Sequence, residues 1–205
     1  MNDHKKKEIG PSTLLNPVPV IMLSCRGTGD KTSKNNIITL AWVGTVNSDP
    51  PMLSVSVRKS RFSYDQIIES GEFVVNLVDK SNLRSCDYCG VKSGRDVDKF
   101  AACSLSAVKA PGLELAPAIA ECPVSLSCKV RQSVELGSHV MFIAEIISIT
   151  VDEKLFNKNG KLEMQKAGLV AYSHGEYFAL SGLEGFFGFS VAKPEVLRRR
   201  SKKRY

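Results

Sequence analysis

Leu53, Val55 and Val57 fall on one parity of residues 52–57 and Ser54 and Ser56 on the other, the alternation of a half-buried strand. The same period of two runs through 123–134, where Val124, Leu126, Cys128 and Val130 alternate with Ser125, Ser127, Lys129 and Arg131. Residues 139–151 predict a further strand, and 142–149 is apolar at both parities, as for a strand covered on both faces. Shorter strand-like runs occupy 18–25, 37–46 and 73–78. The links Asn47-Ser48-Asp49-Pro50-Pro51 and Glu135-Leu136-Gly137-Ser138 are short turn chemistry, which suits antiparallel neighbours rather than crossovers. Helical spacing is confined to 63–70, 81–88, 95–101 and 161–167, and 112–120 reads as a loop with one helical turn. The expected fold is therefore mainly β: an antiparallel barrel with a few peripheral helices, which also removes exposed sheet edges.

A chain of 205 residues suits one domain, taken as 14–192, between a polar N-terminal segment 1–13 and a basic tail 193–205. Lys5, Lys6 and Lys7 have no apolar run behind them, so no secretory signal is read, and no stretch is long enough to span a bilayer. A cytoplasmic location is expected, without membrane insertion. The net charge of +7 sits at the ends, +1 in residues 1–8 and +6 in 198–205, leaving the body neutral. A duplex-binding domain needs a basic face on its folded body, so no specific nucleic-acid partner is expected; the tail reads as a frayed, solubilising end. The six cysteines should be reduced thiols. Cys86-Asp87-Tyr88-Cys89 has zinc or redox spacing, but no second ligand pair accompanies it, and bystander thiols are the plainer account.

The segment Arg58-Lys59-Ser60-Arg61-Phe62-Ser63 carries three cations and two hydroxyls where a strand ends and a helix begins. Ser63 with Gln66 three residues on is a capping-box pattern. A helix N-terminus with adjacent Arg, Lys and Ser side chains makes an anion site. No GxGxxG joins a strand to a helix, so any dinucleotide must bind without that loop.

Several segments follow in order: Asn35-Asn36-Ile37-Ile38-Thr39-Leu40-Ala41-Trp42, then Pro50 to Arg58 with the basic turn, and Phe73-Val74-Val75-Asn76-Leu77. Cys89-Gly90-Val91-Lys92-Ser93-Gly94-Arg95, Asp98-Lys99-Phe100, Gly137-Ser138-His139 and Tyr172-Ser173-His174-Gly175-Glu176-Tyr177 complete the set. Together they resemble the flavin reductase-like family with the FMN-binding split barrel, most closely its flavoredoxin branch, over roughly residues 14–190. The resemblance implies a split-barrel homodimer with one FMN per subunit near the interface. It places the phosphate and ribityl chain on the turn from Arg58 to Ser63, with Arg58, Lys59, Arg61 and Ser63, and counts Ser56 and Val57 among the cofactor-binding residues. Asn36, Thr39, Leu40, Ala41 and Trp42 would lie along the isoalloxazine, with Ser93, Gly94 and Lys99 closing the site. His139 matches the Gly-x-His of the reductases and is the catalytic candidate, near the flavin and an incoming NADH or NADPH; a strand-start histidine is the bland alternative. His174 and His4 are left outside the site. Ala144 stands where many relatives carry glycine, which bears on the depth of the nicotinamide site. The expected activity moves electrons from NAD(P)H through FMN to free flavin or a redox-protein acceptor. The alternative is a flavoredoxin-type carrier without NAD(P)H turnover.

Overall fold

Seven strands share one antiparallel sheet in the computed structural model, which describes residues 4–180 and 182–201. They are β2 (Ile21–Cys25), β3 (Asn36–Leu40), β4 (Val43–Ser48), β5 (Pro51–Arg58), β6 (Glu72–Leu77), β9 (Val124–Leu136) and β10 (His139–Val151), in the order β3-β2-β6-β9-β10-β5-β4. β3 and β4 lie at opposite edges of that order, yet only Ala41 and Trp42 separate them. Three Cα–Cα steps span at most about 11 Å, so the two edges must meet and the sheet must curl into a barrel with a seam. The Ser56 N–H donates to the Trp42 carbonyl at 2.9 Å, which carries the β4–β5 ladder back to the corner. This is the split-barrel fold, and the strand expected over 37–46 is in fact two strands with the corner at 41–42.

Alternation along the strands fills the barrel. Ile21, Leu23, Ile38, Leu53, Val55, Val57, Phe73, Val75, Val140 and Phe142 form one buried cluster. β1 (Val18–Pro19) leaves the barrel to pair with β11 (Val170–Ser173), which pairs with β12 (Glu176–Ala179) in a separate three-stranded sheet. The single strand expected over 18–25 is thus divided at Val20, and β11 and β12 were not anticipated. The helices are α1 (Phe62–Ser70), α2 (Leu83–Val91), α3 (Lys99–Ala102) and α4 (Pro194–Ser201). α2 and α3 cover the outside of β2 and β3 through Met22, Ile37, Cys86, Cys89 and Phe100.

Other expectations need correction. The polar face of β9 is not open to solvent along its first half: Ser125 and Ser127 are buried, and Ser125 Oγ donates to Asn76 Oδ1 at 2.8 Å. β10 runs the expected length, but its outer face is only partly covered, and towards its end Ile147 and Ile149 are 37% and 53% exposed. Residues 117–119 form strand β8 (Pro117–Ile119), paired with β7 (Ala107–Lys109), rather than a helical turn. Only a 3-10 turn, Met164–Lys166, forms in 161–167. The tail is helical as far as Ser201 rather than frayed, and 202–205 lie outside the described residues. Among the described residues no helix is long and apolar enough to cross a membrane.

Candidate functional site

Two cavities lie against the seam and share Ile38, Arg61 and Gly90 in their walls. The larger, about 330 Å³, is lined by apolar and aromatic groups including Leu40, Trp42, Tyr172 and Tyr177, together with Thr39, Ala41, Ser56, Arg58 and His139. The smaller, about 200 Å³, is lined by Asn36, Ser63, Lys92, Ser93, Gly94, Arg95 and Lys99 among others. Twelve residues named from the sequence are thereby gathered around one seam: Asn36, Thr39, Leu40, Ala41, Trp42, Ser56, Arg58, Arg61, Ser63, Ser93, Gly94 and Lys99, with His139 beside them.

Strand register accounts for the larger cavity. β5 and β10 pair so that His139 stands opposite Arg58 and Met141 opposite Ser56, which sets Arg58 and His139 side by side at the barrel end. The His139 Nδ1 lies 2.8 Å from Ser138 Oγ. Partial burial and the Arg58 charge hold its imidazolium below the ordinary histidine value, so the ring is neutral at neutral pH. Tyr172 and Tyr177 meet edge to face, with centroids 5.6 Å apart, and Tyr177 donates its hydroxyl to Asp87 at 3.0 Å. Burial, followed by that carboxylate bond, raises the Tyr177 phenol and keeps it protonated.

The basic turn is built differently from its capping-box reading. Arg61, not Ser63, occupies the N-cap of α1, and no side chain caps it. Ser63 is buried inside the helix and accepts from Asn36 Nδ2 at 2.8 Å. Gln66 faces the interior, where its amide donates to the Thr32 and Lys34 carbonyls at 2.8 and 2.7 Å. The Arg95 guanidinium donates to the Ser60 carbonyl at 2.9 Å and to Asp65 at 3.1 Å, tying the far wall to the turn. It also stacks 5.5 Å over the Phe62 ring.

Lys99 is 3% exposed, and its Nζ donates to the Ile37 carbonyl at 2.6 Å and the Cys89 carbonyl at 2.7 Å. Burial lowers its pKa. Two of its three donors are therefore committed to fastening α2 to β3, leaving one for the cavity. Gly94 supplies close approach: a Cβ there would overlap Asn36 Oδ1 and sit 2.9 Å from Phe62 Cδ1.

Two residues named from the sequence stand apart. The Val57 side chain is fully buried in the barrel core. Lys59 points away from both cavities, its Nζ held by Glu135 Oε1 at 2.9 Å on the surface. Ala144 also belongs to the barrel core and lines neither cavity, so its methyl does not shape them. Sequence reasoning missed Val20, Gly90, Lys92, Arg95, Tyr172 and Tyr177 as wall residues. Gly90, Lys92, Arg95, Tyr172 and Tyr177 had a signal in the segments that carry the resemblance, which run from Cys89 and from Tyr172 to Tyr177; Val20 becomes visible only once the strands are placed. Among the described residues no group of three or more His, Cys, Asp or Glu could hold a metal ion. All six cysteines are free thiols, with Cys86 and Cys89 buried on α2.

A split barrel with an aromatic cavity and an adjoining basic one at its seam has the wall chemistry for a planar ligand with an anionic tail. The chain belongs to the flavin reductase like domain family, whose match spans residues 15–181, and sits in its flavoredoxin branch. It is similar to the flavoredoxin of Desulfovibrio vulgaris (Miyazaki F), at 31% identity and a TM-score of 0.83, covering 92% of this chain and 100% of that one. The flavoredoxin of Methanosarcina acetivorans is similar at 30% identity and a TM-score of 0.81, with coverage of 92% and 100%. The FMN reductase (NADH) RutF of Pseudomonas syringae pv. syringae (strain B728a) is 32% identical over 111 residues, 54% of this chain and 60% of that protein.

Proposed function

We propose that this protein binds FMN at the seam and moves electrons from NADH or NADPH to free flavin or a redox-protein acceptor. The carrying observation is the junction of the two cavities at Arg61. The donor set suits FMN. Arg61, Lys92, Arg95 and the Ser93 hydroxyl suit a phosphate in the smaller cavity, while Leu40, Trp42, Tyr172 and Tyr177 suit a tricyclic ring in the larger one. Thr39 and Leu40 end the edge strand β3, so backbone groups there that do not face β2, with those of Ala41 at the corner, suit the ring's polar edge. Bound there, the flavin supplies two-electron uptake from the nicotinamide and release to the acceptor. The chain's tasks are to bind, orient and exclude water. The test is colour: purified protein, supplied with FMN and desalted, should retain a flavin spectrum and bleach on anaerobic addition of NADH or NADPH. A colourless protein that takes up no FMN would refute the reading.

The two flavoredoxin likenesses, each covering 92% of the chain, favour a second reading: an electron carrier that binds FMN without turning over NAD(P)H. In that case the protein stays yellow in the anaerobic mixture and bleaches only with a reduced protein donor.

Within the reductase reading, His139 holds a proton at the cavity rim. Because its folded pKa is lowered, the neutral ring dominates down to a pH below the ordinary value of about 6.5. Turnover should be flat near neutrality and change along an acid limb with its midpoint below about 6.5. His139→Asn should lower kcat roughly ten- to a hundredfold and abolish that limb. An unaltered limb in the variant assigns it to another group.

We also infer a homodimer with the FMN site near its interface. Support for the dimer comes from the partly open outer face of β10, where Ile147 and Ile149 are exposed, while the nearness of the FMN site is what the family resemblance implies. Ile149→Lys should shift the mass measured by light scattering from dimer toward monomer. A wild-type monomer, or a variant that stays dimeric, removes β10 from the interface. Six free thiols support a reducing, cytoplasmic setting.

A further inference from the structure

The CxxC spacing draws attention to Cys86 and Cys89, but the sulfur in contact with Cys89 belongs to Cys103, 3.9 Å away. Cys89 sits in the last turns of α2, and Cys103 follows α3, its N–H donating to the Lys99 carbonyl at 3.1 Å. Cys89 is buried while Cys103 is partly open to solvent. Between them in sequence lie Lys92, Ser93, Gly94, Arg95 and Lys99, which form one wall of the smaller cavity. We propose that Cys89 and Cys103 are a reversible dithiol–disulfide site, oxidised by a small-molecule disulfide and closing a 15-residue ring that carries that wall. The proposal is independent of whether FMN occupies the cavity.

The exposure difference sets the order of events. The Cys103 thiolate attacks one sulfur of the small disulfide and expels the first thiolate, which takes up the proton Cys103 lost. Cys89, already beside Cys103, then loses its proton and attacks the Cys103 sulfur of the mixed disulfide, expelling the second thiolate, which takes up that proton. Two protein thiols and one small disulfide thus become one protein disulfide and two small thiols, and excess thiol reverses both steps. Burial, and then the neighbouring Cys103, push the Cys89 thiol up to about 12, while the Lys99 ammonium beside it pulls the other way. Cys89 is accordingly the slow partner and a poor first target, which protects it from adducts of its own. A sulfur–sulfur bond is about 2 Å long, so the ends of α2 and α3 need only a modest approach.

The whole protein is incubated with oxidised glutathione, then analysed by intact mass, by non-reducing peptide mapping and by thermal denaturation. The expected product is lighter by two hydrogens, with the peptides of Cys89 and Cys103 joined. Its Tm should rise by roughly 5–10 °C over the reduced form, the scale for a ring of this size in a domain of about 200 residues, and dithiothreitol should restore the original value. Cys86→Ser should leave the bridge intact. Cys103→Ser should abolish both the mass change and the Tm shift, and Cys89→Ala should stop at a stable glutathione adduct on Cys103. A wild-type protein that keeps the adduct, joins Cys86 to Cys89, or remains unmodified at equilibrium overturns the proposal.

Discussion

Arg61→Ala should weaken FMN binding by roughly ten- to a hundredfold, the loss of one or two charge-assisted hydrogen bonds of about 1.5–3 kcal/mol. Among the described residues Arg61 is the one cation that lines both cavities, so its guanidinium stands where a phosphate-bearing chain would pass from one to the other. Truncation leaves the turn standing, because the turn is closed by backbone bonds: the Arg61 N–H to the Arg58 carbonyl and the Tyr64 N–H to the Arg61 carbonyl, both 3.0 Å. Lys59→Ala, two residues away with the same charge change, should alter affinity less than about twofold, since its partner is a surface carboxylate worth little. Fluorescence titration of FMN with each variant makes the comparison. Equal affinities for wild type and Arg61→Ala would displace the phosphate from the smaller cavity.

That contrast marks the limit of the sequence as a guide to the site. The charge run 58–63 pointed to a candidate anion site but not to which cations face the cavities, because the direction of a side chain at a strand end depends on the barrel's curl. Hairpin β9–β10 was legible from its period of two and from Gly137, whose φ of +73° suits the first position of a two-residue turn. The corner at Ala41-Trp42 was not, since Val43 to Val46 continue the strand composition and only barrel closure demands a break there. Ser63 and Gln66 satisfy a local capping pattern, yet both are consumed by tertiary bonds to Asn36, Thr32 and Lys34. Burial of Lys99 was equally hidden. A lysine on a four-residue helix gives no sign that its ammonium will be enclosed by two carbonyls from other elements.

Gly94→Ala should damage fold and site together, because the methyl enters space already filled. Asn36 is 2% exposed on the first residue of β3, and its Nδ2 donates to the buried Ser63 hydroxyl at 2.8 Å. A Cβ on Gly94 would overlap the other end of that amide and press on Phe62, so Asn36 must turn and the bond to Ser63 must break. Overpacking costs about 1–3 kcal/mol, and a buried polar group left unpaired costs about as much again. In a domain of this size the sum lowers Tm by roughly 5–15 °C. FMN affinity should fall at least tenfold as well, since Asn36, Phe62, Ser63 and Gly94 all face the smaller cavity. Gly44→Ala is the matched control. Nothing lies within 4 Å of a Cβ there, so stability should hold or rise slightly. If Gly94→Ala matches that control in both Tm and FMN affinity, the glycine is not what lets the two walls approach.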